Sequence, residues 1–67
     1  MVTDMRPAPM TAEQARAIVA EMRAETRDKP AIRLMRRALG PLGNLSEAAR
    51  DVYRAEIRRR GGNPEPL

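Results

Sequence analysis

Three breaks punctuate this chain of 67 residues: Pro30, the Gly40-Pro41 pair and the Gly61-Gly62 pair. Between them the apolar residues recur at the helical period, and no stretch alternates apolar and polar residues as a half-buried strand would. Residues 11–60 can therefore bury apolar surface only by packing helix on helix. The expected fold is all-α, a small three-helix bundle with flexible N- and C-terminal tails at 1–10 and 61–67. Its helices are expected at about 12–28, 30–39 and 46–60. No internal repeat or heptad series is present.

The first helix has a well-signed start. Thr11-Ala-Glu-Gln14 reads as a capping box, with Met10 placed to staple against Ala15. Ala15, Ile18, Val19, Met22 and Thr26 then share one face, and Pro30 is expected to end the run by pushing the residue before it out of helical geometry. Pro30 also suits the first turn of a second helix, which Gly40-Pro41 stops. In that helix Ala31, Ile32, Leu34, Met35, Ala38 and Leu39 form one arc opposite Arg33, Arg36 and Arg37. Leu42 and Leu45 are expected to tuck inward around the 40–44 turn. Ser46 or Asn44 caps the third helix, which presents Ala48, Ala49, Val52, Tyr53 and Ile57 to the core and collects Arg58, Arg59 and Arg60 in its last turn, where cations favour the helix dipole.

The core must be thin, because eleven of the apolar residues are alanines and Met1, Val2, Met5 and Leu67 lie in the tails. With no cysteine there is neither a disulfide framework nor a thiolate metal cage, and a reducing, cytoplasmic setting fits best. Asp4 and two prolines interrupt any leader-like apolar stretch near the N-terminus, and no apolar run approaches membrane-spanning length.

General acid–base and nucleophilic catalysis draw on His, Cys, activated Ser or desolvated carboxylates, whereas this chain has no His, no Cys and one serine placed as a helix cap. No enzyme, cofactor or metal is expected. Glu21, Glu25 and Asp28 share one side of the first helix and Glu47 and Asp51 form another pair, but both read as solvated faces, since no acid-rich loop accompanies them. Glu56 falls within the apolar arc of the third helix. It either pairs with an arginine beneath the helix or lies beyond the edge of the core, and the edge is expected because burying a carboxylate is costly. Tyr53, the single aromatic residue, is expected at the core boundary with its hydroxyl at the surface.

Charge is distributed unevenly. Residues 12–28 carry a net −1 and residues 29–60 a net +6, with arginine supplying twelve of the thirteen bases. Arg33, Arg36 and Arg37 on the second helix and Arg50, Arg54 and Arg58 on the third form one partner-binding surface if their outer faces point the same way. Otherwise they are a solvated face, or reflect arginine-rich, alanine-rich coding. Ala17, Ala20 and Ala24 line the back of the first helix, which reads either as room for another helix, a second copy in a homodimer included, or as plain helix propensity.

These features lead to a non-enzymatic regulator that binds a larger protein or complex as inhibitor, adaptor or assembly factor, of the kind phages and mobile elements use. The alternative is a basic nucleic-acid-binding domain of helix-turn-helix type. Glu47 and Asp51 near the start of the would-be recognition helix, and the lack of Asn or Gln along it, weigh against that alternative. A membrane-surface role is weaker still, because the basic second helix lacks Trp or Phe anchors.

Overall fold

The structure, a computed structural model, describes residues 8–41 and 43–64. Within them the chain forms three helices, α1 (Ala12–Glu25), α2 (Asp28–Leu39) and α3 (Glu47–Arg59), and no strand. The expected tails fall in part outside the described residues, at 1–7 and 65–67, as does Leu42.

The caps are those the residue types dictate. Thr11 Oγ1 accepts from the Gln14 N–H at 3.2 Å while Gln14 Oε1 accepts from the Thr11 N–H at 3.0 Å, closing the capping box of α1. Ser46 Oγ accepts from the Ala49 N–H at 3.2 Å at the start of α3. Beyond α3, Gly61 takes a positive φ of 83°, its N–H bonds to Arg58 O, and the Gly62 N–H bonds to Ile57 O. That reciprocal pair is the Schellman stop, which needs a residue free to turn left-handed.

The break between α1 and α2 falls earlier than expected. α1 stops at Glu25, Thr26 and Arg27 are extended, and α2 begins at Asp28, so Lys29 is helical and Pro30 lies inside the first turn of α2. Proline interferes with the turn before it, and at this position no helical turn precedes it. A tertiary tie marks the corner instead: Arg60 Nη1 donates to Thr26 O at 3.3 Å and to Asp28 Oδ1 at 3.0 Å.

Contacts at both ends set the helix directions. Met10 and Leu45 form a parallel bridge, with the Met10 N–H on Asn44 O at 2.9 Å and the Ser46 N–H on Met10 O at 3.0 Å. α1 and α3 therefore start side by side and run parallel, with Arg23 near the end of α1 reaching Glu56 near the end of α3. α2 runs the other way, its start tied to Arg60 and its last carbonyl, Leu39 O, taken by Arg50 Nη1 at 3.3 Å. α3 is the central helix, packed against both of the others.

The core consists of Ala15 and Val19 from α1, Ala31 and Met35 from α2, and Ala49, Tyr53 and Ile57 from α3. Met35 and Ile57 are the largest fully buried side chains, each worth about 1.5–3 kcal/mol on burial. Two assignments change. Leu34, placed in the apolar arc of α2, is 53% exposed, because α2 packs mainly on α3 and Leu34 lies off that contact. The opposite flank, carrying Ile32, is covered by the chain at Gly62. Ala48 is likewise exposed, since the buried stripe of α3 is centred toward Glu56.

Candidate functional site

The six arginines singled out in the sequence do not stand alike. Arg33, Arg37 and Arg58 are exposed. Arg50 is half-buried and turned toward the end of α2, where it caps a carbonyl, and Arg54 pairs with Asp51 at 3.3 Å on its own helix. Arg36 is half-buried and engaged in contacts of its own. Three of the six thus have work within the fold.

A different charged cluster emerges at the end of the α1/α3 pair. Glu56 is buried, with 3% of its surface exposed, not beyond the edge of the core as expected from its cost. That cost is offset by three guanidinium groups. Arg23 donates through Nη2 to Oε1 at 2.7 Å, Arg59 through Nε and Nη2 to the two oxygens at 3.0 Å each, and Arg60 through Nε to Oε2 at 2.8 Å. A carboxylate this well supplied with charged donors stays ionised: Arg59, then Arg23, hold it well below the usual carboxylate range against the opposing effect of burial. Glu56 in turn raises the Arg59 guanidinium. The Arg60 side chain is buried as deeply as that of Glu56, and its Nη2 has no hydrogen-bond partner among the described residues.

Tyr53 is also deeper than expected. Only 3% of it is exposed, its hydroxyl donates to Met10 Sδ at 3.5 Å, and burial pushes its ionisation up.

Beside the cluster, α1 and α3 leave an open groove of about 380 Å³ between them. Arg16, Val19, Ala20 and Arg23 line one wall, and Val52, Ala55, Glu56 and Arg59 the other. Each wall repeats at i, i+3, i+4 and i+7, the spacing of one helical face. The floor is aliphatic, and the alanines Ala20 and Ala55 are exposed. The rim is cationic: Arg23 and Arg59 keep about half of their side-chain surface in solvent while holding Glu56, and Arg16 has no ion-pair partner among the described residues. Because Glu56 is already saturated, the rim has positive charge to spare.

Sequence reasoning did not bring Arg16, Arg23 and Arg59 together. The signal for part of the cluster was present, since Glu56 in an apolar arc is followed by arginines three and four residues on. The α1 wall depends on the parallel register of two helices more than thirty residues apart, and no local pattern encodes that. Ser46 lies at a helix cap and contacts no other group that would activate it among the described bonds. Glu21, Glu25 and Asp28 do not converge, and no group of three metal-ligating side chains occurs among the described residues. No described helix is long and apolar enough to cross a membrane. No family model matches the chain, no curated protein matches it, and no solved structure matches it.

Proposed function

We propose that this chain is a non-enzymatic protein-binding module that acts by docking on a larger protein or complex, as an inhibitor, adaptor or assembly factor. The observation that carries the reading is the α1/α3 groove, an aliphatic floor with exposed alanines at Ala20 and Ala55, bounded by arginines that share one buried carboxylate, Glu56. Interfaces concentrate binding energy where apolar contact is ringed by groups that exclude water, and arginine is enriched at such places. The residue inventory supports a role without catalysis, because the chain lacks His and Cys and its one serine is a helix cap. Nucleic-acid binding draws less support, since Arg50 and Arg54 of the expected basic surface are tied to Leu39 and Asp51.

The test is retention from nuclease-treated lysate on immobilised wild-type protein and on an Ala55→Glu variant, alongside binding of labelled duplex DNA and RNA at low and physiological salt. A protein held by wild type and lost by the variant supports the reading. Steeply salt-dependent duplex binding with no such protein overturns it.

A further inference from the structure

Resting on that reading, we infer that the α1/α3 groove takes an amphipathic helix of a partner protein whose aliphatic stripe is flanked by carboxylates about two turns apart. Arg16 and Arg23 are seven residues apart on α1, which at 1.5 Å per residue places their stems roughly 10 Å apart along the groove. Arg59 faces Arg23 across the groove, since both hold the same carboxylate. The cationic rim therefore has two stations, a pair of guanidiniums at the C-terminal end of the helices and Arg16 about two turns back. Between them lie Val19, Ala20, Val52 and Ala55, which offer only dispersion and the removal of apolar surface from water. A helix that places acids opposite the stations and aliphatic side chains between them satisfies both features.

Direction follows from the dipoles. α1 and α3 run parallel, so a third helix in their groove is favoured running against both, with its N-terminus at the Arg23/Arg59 station. Acids in the first turn of the incoming helix then face that station while also favouring its own dipole, and an acid seven residues further on meets Arg16. The small side chains of Ala20 and Ala55 allow the backbone to approach closely. A nucleic-acid strand fits poorly: the floor has no aromatic ring for a base to stack on, because Tyr53 is buried.

The experiment is a two-dimensional ¹⁵N NMR titration of the full chain with a helical probe peptide of about 18 residues, long enough to be helical in isolation. The probe carries glutamates in its first turn and seven residues later, with leucines between. A lysine-for-glutamate version and a short DNA duplex are titrated in parallel. The expected result is a shift of the backbone amides of Ala20, Val52 and Ala55 and of the side-chain Nε–H of Arg16 and Arg59. Arg16→Glu and Ala55→Glu, both at exposed positions, should each weaken binding about tenfold or more with helicity unchanged. Equal binding of the lysine peptide, or silent groove amides at about 1 mM glutamate peptide, overturns the assignment. If the groove is silent while a protein retained from nuclease-treated lysate footprints on another face, the protein-binding reading survives and only the groove assignment falls. If duplex displaces the peptide from the groove at physiological salt, both fall.

Discussion

Replacing Glu56 by alanine removes the one carboxylate on which three arginines converge, and the structure allows the consequence to be sized. Arg23 and Arg59 are half in solvent, so each can turn to water, and the loss of each contact is no more than that of a weak surface pair. Arg60 cannot turn away: its side chain is 3% exposed and is held by Thr26 O and Asp28 at the α1/α2 corner. Breaking a fully buried pair by deleting one partner costs roughly 3–5 kcal/mol, and the low end applies here, because Arg60 keeps the exposed Asp28 as its one remaining counter-charge among the described residues. A loss of about 3 kcal/mol is expected, a large part of the roughly 5 kcal/mol that holds a domain of this size together. Urea unfolding followed by far-ultraviolet circular dichroism should show a midpoint lowered by about 3 M, given a slope near 1 kcal/mol per M. The melting temperature should fall by about 15 °C. The double variant Glu56→Leu with Arg60→Leu should recover most of the loss, because the pair is then replaced by apolar packing and no charge is stranded. A cost below about 1 kcal/mol for Glu56→Ala would refute the reasoning, since it would show that Asp28 and Thr26 O alone satisfy the buried Arg60.

Other expectations follow from the same structure. Glu56 holds its proton off in the folded state well below the ordinary value of 4.5, so the unfolded chain binds more protons in the intervening range; the stability it contributes is full above about pH 5 and declines as pH falls toward the depressed value. Denaturant midpoints measured from pH 7 to 2 should show that decline in wild type, with a flatter acid limb in Glu56→Gln. Gly43→Ala should destabilise by about 1–3 kcal/mol in thermal melts, because its Cβ would lie 1.6 Å from the backbone oxygen of Ala38, which cannot move without shifting the end of α2. Gly62→Ala should cost less, since the nearest atom, 2.8 Å away, is the flexible tip of Ile32. Leu34→Ser should leave stability within about 0.5 kcal/mol, whereas Met35→Asp, one residue on, should abolish cooperative unfolding.

Much of the fold was legible because it is encoded locally. The Thr11 capping box, the Ser46 cap, the glycine stop after Arg60 and the placing of Ala15 and Val19 in the core depend on residues within a turn or two of one another. What escaped depends on packing. Leu34 belongs to the apolar arc of α2 by periodicity, but its burial requires a neighbour on that flank, and α2 packs on α3. Thr26, at the boundary, is tied by a bond from Arg60, thirty-four residues away. Glu56 stood out as an anomaly from the start. Resolving it required Arg23, thirty-three residues distant, and a parallel alignment of α1 and α3 that begins with a backbone bridge between Met10 and Leu45. For the same reason the six arginines chosen by helical periodicity divided between structural and exposed positions. The groove arginines came from the two helices that pair most extensively.

The parallel course of α1 and α3 has a mechanical consequence. Met10 lies beside the start of both helices and Arg60 at their far end. A force drawn between these two points runs along the helix pair, so the load is spread over the whole length of their contact and meets it in shear instead of peeling it open one turn at a time.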